Sequence, residues 1–146
     1  MESGSQSKKN LWLEAGQGYA GVDIETLDGG AEFGVFFHLG GTLRKDKHLF
    51  NVYHNGFSTD DRHGISETGI KYGRYWENRW VFVSAMTGVS VVKAGFEEDD
   101  YSGIGIPAEA GAFLKLGFMN IGLNYAVNVS DDHYLDAVSL VAKVNF

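Results

Sequence analysis

Between Leu11 and Phe146 apolar and polar residues alternate with a period of two almost without interruption. That rhythm belongs to strands whose two faces meet different surroundings. Eight segments carry it: Leu11–Val22, Ala31–Leu43, His48–Gly56, Ile65–Trp76, Trp80–Lys93, Ile104–Leu116, Met119–Val129 and Tyr134–Phe146. They run 9 to 14 residues. A soluble strand usually has about 5–6 residues, and a tilted strand crossing a bilayer roughly 9–11. No segment has the stripe of an amphipathic helix. The 20 Gly and 14% aromatic residues suit strands and tight turns.

The faces separate cleanly. In the second segment Ala31, Phe33, Val35, Phe37, Leu39 and Leu43 oppose Glu32, Gly34, Phe36, His38, Gly40 and Thr42. In the sixth, Ile104, Ile106, Ala108, Ala110, Ala112 and Leu114 oppose Gly105, Glu109, Gly111 and Lys115. The polar face of the whole set holds Glu14, Glu32, His38, Glu67, Lys71, Glu109, Lys115 and Lys143. A soluble barrel turns the apolar face inward; a membrane barrel turns it to lipid and keeps the polar groups in its lumen. Alternation alone fits both.

Connections break the tie. After segments one, three, five and seven they are long, as in "AGFEEDDYSG"; after two, four and six they are short, as in "ENR". Long loops at one end and tight turns at the other suit an outer-membrane barrel. The long loops carry Asp23, Glu25, Asp28, Asp60, Asp61, Glu97, Glu98, Asp99, Asp100, Asp131 and Asp132 against Arg62 alone. Aromatics gather at two levels. Trp12, Phe50, Trp76, Trp80, Phe118 and Phe146 fall near the short turns, and Tyr19, Phe57, Tyr101 and Tyr134 near the long loops. Two such levels around an aliphatic band match the two interfaces of a bilayer. The net charge of −7 argues against nucleic acid as a partner. With no Cys there is neither a disulfide framework nor a thiolate metal site.

Both ends of the chain are informative. "MESGSQSKKN" has no apolar h-region and reads as a flexible leader of residues 1–10. It is either a native start or the stretch left after an initiator Met replaced an export signal. The barrel domain is then residues 11–146. At the other end "VSLVAKVNF" keeps its alternation to the last residue, with Val138, Leu140, Ala142, Val144 and Phe146 on one face. An eight-stranded barrel closes by pairing its last strand with its first, so this strand belongs to the sheet. The stretch resembles the C-terminal assembly signal of bacterial outer-membrane barrels, with Val144 where an aromatic is common. "IGIPAEAGAFLKLGFMNIGLNYAVNVS" also resembles small outer-membrane barrel proteins of Gram-negative bacteria. The resemblance implies a location in the outer membrane and recognition of Phe146, Val144, Ala142, Leu140 and Val138 by the assembly machinery.

Other motifs carry little chemistry. "GQGYAG", Gly16 to Gly21, has dinucleotide-motif spacing, but a strand and a loop come after it instead of the required helix. The histidines lack metal-ligand spacing; His54, Ser58 and Asp60 read as neighbours in a polar loop. The run Glu97, Glu98, Asp99 and Asp100 is a candidate for Ca²⁺ or Mg²⁺, which take oxygen ligands, although it lacks EF-hand spacing. No other cofactor is expected.

The sequence therefore reads as an all-β, eight-stranded antiparallel up-and-down transmembrane barrel. Its lumen is filled and polar, its loops are acidic, and its role is structural or interactional rather than enzymatic. Expected partners are membrane lipid, lipopolysaccharide and the assembly machinery, with the chain a monomer. Two alternatives are a soluble lipocalin-like carrier of an apolar ligand and a lipid-A-modifying enzyme.

Overall fold

The computed structural model describes residues 11–24, 31–58, 64–95, 100–130 and 133–145. Eight strands form one closed antiparallel barrel in which each pairs with its sequence neighbours and the last pairs with the first. They are β1 (Leu11–Ile24), β2 (Ala31–Lys45), β3 (His48–Ser58), β4 (Gly64–Glu77), β5 (Val81–Gly95), β6 (Asp100–Lys115), β7 (Met119–Ser130) and β8 (His133–Asn145).

The register fixes the shape. A line of paired residues from Leu11 runs through Leu43, Phe50, Tyr72, Thr87, Ala108, Val127 and Asp136. It returns to β1 at Gly21, ten residues above its start. A shear of ten over eight strands tilts them by about 40°. Such a barrel is narrow, and side chains fill it.

The three short connections lie at one end, called lower here. Asp46 turns β2 into β3 with φ 58°, and Gly117 turns β6 into β7 with φ 91°. Between β4 and β5 the Asn78 Oδ1 accepts hydrogen bonds from the backbone N–H of Trp80 (2.8 Å) and Val81 (3.0 Å). This side chain closes the turn without glycine.

Most strands extend beyond the alternating apolar pattern at the upper end. The largest difference is β6, which starts at Asp100 instead of Ile104. Polar residues there still pair with β5, through Asp100–Gly95 and Ser102–Lys93. Sheet hydrogen bonding persists where side chains leave the apolar environment, so hydropathy underestimates strand length.

Candidate functional site

The aliphatic residues face outward. Leu39, Val52, Ile70, Val89, Ile104, Leu123 and Leu140 are all exposed, Ile104 to 74%. Buried positions alternate with them and face the lumen. A soluble lipocalin-like carrier needs the opposite arrangement, with an apolar calyx and a polar exterior. The exposed aliphatic band overturns that alternative.

The lumen is layered. At the lower end Trp12, Leu49, Tyr75, Phe82, Met86, Phe113 and Val141 form an apolar cluster. Trp12 stacks on Phe82 at 5.0 Å between centroids, and Phe82 stacks on Phe113 at 4.8 Å. At the upper end Ala20, Phe36, Phe57, Ile65, Val92, Leu135 and Ala137 form a second cluster. Between the two, glycines alternate with buried polar side chains such as Glu14, His38, Asn51, Glu67, Lys71 and Glu109.

Trp12 and Phe57 thus correct the aromatic levels expected from sequence. Both are buried inside, because Trp12 shares the parity of Glu14 and Phe57 that of Asn55. Trp76, Trp80, Phe118, Tyr19 and Tyr134 do stand exposed on the outside.

The polar layer is built around three carboxylates. Glu14 accepts from Lys143 Nζ at 2.5 Å, from Asn51 Nδ2 at 2.8 Å and from Thr42 Oγ1 at 3.4 Å. His38 Nε2 lies 3.0 Å from Glu14 Oε1. Glu67 accepts from the Tyr53 hydroxyl, from Asn128 Nδ2 at 2.5 Å and from Asn55 Nδ2 at 3.4 Å. Glu109 is paired with Lys71. Lys71 and Glu109 belong to β4 and β6, so this pair reaches across the lumen past β5.

His38 links the groups. Its Nδ1 lies 2.6 Å from Asn55 Oδ1. Asn55 directs its amide N–H at Glu67, which leaves its carbonyl for His38. His38 therefore has an oxygen within hydrogen-bond distance of each ring nitrogen. Among the described residues, Lys143 offsets Glu14 and Lys71 offsets Glu109, while hydrogen bonds from Tyr53, Asn128 and Asn55 satisfy Glu67. Burial of unpaired charge costs several kcal/mol, so such pairing is what a filled lumen requires. Lys143 ties the polar layer to the lower cluster, its Nζ 4.8 Å from the Phe113 centroid, and within the polar layer Lys71 Nζ lies 4.0 Å from the Tyr53 centroid.

Lys115 departs from its expected place in the lumen. It is on the inward face but at the lower rim, 31% exposed, with Nζ 3.2 Å from Glu77 Oε2 and 3.1 Å from the Asn78 carbonyl. Glu32 lies in β2 opposite Val22. Asp100 opens β6, whereas Glu97, Glu98 and Asp99 lie outside the described residues, as does the leader 1–10. Of the terminal-strand set, Val138 and Leu140 are exposed outside, Ala142 and Val144 are partly exposed, and Phe146 lies outside the described residues. His54 is not in a loop: it sits in β3 facing outward, with Nδ1 2.7 Å from Thr68 Oγ1. Ser58 ends the same strand. No group of three or more His, Cys, Asp or Glu among the described residues is arranged to hold a metal.

Closure, shear and inverted polarity together decide the comparison with known structures. The fold is that of small outer-membrane barrels. Neisserial surface protein A superposes with a TM-score of 0.71 at 12% identity, over 97% of this chain and 100% of that one. Ail, the attachment invasion locus protein of Yersinia pestis, gives 0.71 at 14% identity, over 96% and 100%. Ail has also been solved with the heparin analogue sucrose octasulfate. OprG from Pseudomonas aeruginosa gives 0.58 at 13% identity, over 94% of each chain. Neither a family model nor a curated protein matches the sequence.

Proposed function

We propose that this chain is a bacterial outer-membrane barrel that works as a closed scaffold, displaying four acidic loops on the outer face of the cell. One observation carries the reading: an exposed aliphatic exterior encloses a lumen of paired and hydrogen-bonded polar groups with an apolar cluster at each end. The exterior calls for lipid as its solvent. Among the described residues, two apolar clusters and a hydrogen-bonded polar layer between them fill the lumen, which favours display on the loops over transport.

The long loops set the partner chemistry. Eleven carboxylates face one arginine there. The polysulfate seen with Ail would meet about ten net negative charges, so that ligand is not carried over. Membrane lipid and lipopolysaccharide surround the barrel. Ca²⁺ or Mg²⁺ at Glu97, Glu98, Asp99 and Asp100 would bridge the loops to an anionic leaflet. Assembly machinery would read the last strand, from Val138 to Phe146.

The test is paired. The chain should fold into lipid vesicles with a heat-modifiable band on gels, and should give no steady conductance in a planar bilayer. A monomer soluble without detergent overturns the membrane reading; a stable ion current overturns the closed lumen. In cells, Phe146→Ser should lower the membrane-inserted fraction more than it lowers refolding in vitro. Normal insertion would remove the role of the terminal strand as a signal.

A further inference from the structure

The outer face changes character at one place along the lower rim. On β1, β5, β6 and β7 the outward positions there are apolar, as at Leu11, Val83, Leu114 and Ile121. On β2, β3 and β4 they are Lys45, His48 and Arg74. Lys45 pairs with His48 and His48 with Arg74, so the three form one row across three strands. They share the outward parity of Leu43, Phe50 and Tyr72, which form the next row up. Side chains opposite one another on one face have Cβ atoms about 5 Å apart. The strands tilt by about 40°, so a row climbs about 3 Å per strand and Arg74 stands about 6 Å above Lys45.

The row is poised toward the outside. The side chains of Lys45 and Arg74 are exposed and have no hydrogen bond or ion pair among the described residues. Arg44, by contrast, is turned inward over the rings of Trp12 and Tyr75. His48 is held in place, with Nδ1 2.5 Å from the Tyr72 hydroxyl and its ring stacked on Tyr72 at 5.7 Å. With that hydroxyl donating to Nδ1, the ring proton sits on Nε2, which is left as a donor. Two carboxylates share this rim: Asp46 at the turn, and Glu77, which is engaged by Lys115.

An open groove of about 660 Å³ begins directly above the row, lined by Leu43, Phe50, Val52, Ile70, Tyr72 and Val89. Phe50 packs against Tyr72 at 5.3 Å between centroids. Gly41 also lines it, and a Cβ there would meet nothing closer than 3.7 Å. The barrel would accept a side chain at this position, and the glycine keeps the groove open. From Leu43 to Val89 the groove climbs obliquely by about 14 Å.

We propose that the row and the groove bind one anionic glycerophospholipid of the periplasmic leaflet. Its headgroup phosphate lies on Lys45, His48 and Arg74, and one acyl chain follows the groove. The proposal rests on the membrane reading, which puts the short turns on the periplasmic side. Charge selects the occupant. Two unpaired cations and an N–H donor suit the oxygens of a phosphate, and the ammonium of a zwitterionic headgroup would be repelled by the same cations. The groove supplies the apolar half of the match, continuous with the cationic half. Lipopolysaccharide belongs to the opposite leaflet, beside the acidic loops.

Folding into phosphatidylcholine vesicles, read as a heat-modifiable band, comes first for every variant. The folded barrel is then titrated in micelles with phosphatidylglycerol against phosphatidylcholine, and native mass spectrometry counts the lipids retained. The expected result is saturation at one phosphatidylglycerol per barrel. Lys45→Gln and Arg74→Gln should each weaken its apparent affinity about fivefold, the worth of one basic residue beside an anionic headgroup. Arg79→Gln removes the same charge from the same rim, outside the row, and should leave the affinity within about twofold. Gly41→Leu fills the groove and should lower retention with every cation in place. An equal loss from Arg79→Gln would reveal a diffuse basic collar and overturn the proposal. Indifference to Gly41→Leu or to both row variants, equal retention of phosphatidylcholine, or stronger displacement by lipopolysaccharide than by phosphatidylglycerol would overturn it too. Failure to fold into vesicles would instead overturn the membrane reading, and the proposal with it.

Discussion

Glu14 and Lys143 face each other across the seam where β8 closes on β1, with carboxylate and ammonium 2.5 Å apart inside the lumen. Both side chains are almost fully buried. Removing one leaves the other as an uncompensated buried charge. Lys143→Met should therefore cost about 3–5 kcal/mol of unfolding free energy. The double variant Glu14→Gln, Lys143→Met should cost less than the sum of the singles. Denaturant titration in micelles measures all four corners of the cycle; additive losses would show that the two residues are not coupled.

Tyr53 separates a hydrogen bond from a cation–ring contact. Its hydroxyl donates to Glu67, while its ring lies under Lys71. Tyr53→Phe deletes only the first. A bond to a charged group is worth about 1.5–3 kcal/mol, and that loss is expected. A change below about 0.5 kcal/mol would mean that Asn128 and Asn55 alone satisfy Glu67.

The exterior can be probed at mid-height. Ile70 is 57% exposed on β4. Ile70→Arg should cost roughly 2–4 kcal/mol for folding into bilayers, because a guanidinium then faces hydrocarbon. The reference is Arg at Trp80, beside the lower turn, where the interface tolerates charge. Equal losses at the two positions would show that no apolar slab surrounds the barrel.

Glycines should fall into two classes. Gly73→Ala places a methyl 1.9 Å from the Ala85 carbonyl oxygen and 2.4 Å from Met86 Cγ. Overpacking of this kind costs about 1–3 kcal/mol. Gly56→Ala meets open space and should be neutral, or stabilising by about 0.4–1 kcal/mol through a less flexible unfolded chain. Comparable losses for both would mean that the space outside Gly56 is filled in the folded barrel.

Parity was the legible part of this structure. Alternation puts Glu14, His38, Glu67, Lys71, Glu109 and Lys143 on one face, and the barrel buries all six. Height was not legible, because it depends on register and shear. Lys115 has the right parity, yet it stands at the rim with Glu77 instead of in the lumen. Trp12 and Phe57 have the right height for an interface but the parity of the interior. Partnership was harder still: the tilt brings Lys71 to Glu109 past an intervening strand, and only the closed geometry reveals it. The asparagines that position Glu67 looked like generic polarity, since nothing in their spacing marks which carboxylate they serve.

Closure between β1 and β8 also governs how the chain reaches its final state. Glu14 and Lys143 are 129 positions apart, and the seam pairs residues along nearly the whole length of both strands. Contacts between such distant positions form late, because the entropy of closing the loop must be overcome first. Until then β1 and β8 each carry an open row of backbone donors and acceptors, in a chain whose outer side chains repel water. The first strand made must therefore wait for the last, and during that wait its edge is open to any other unpaired strand nearby.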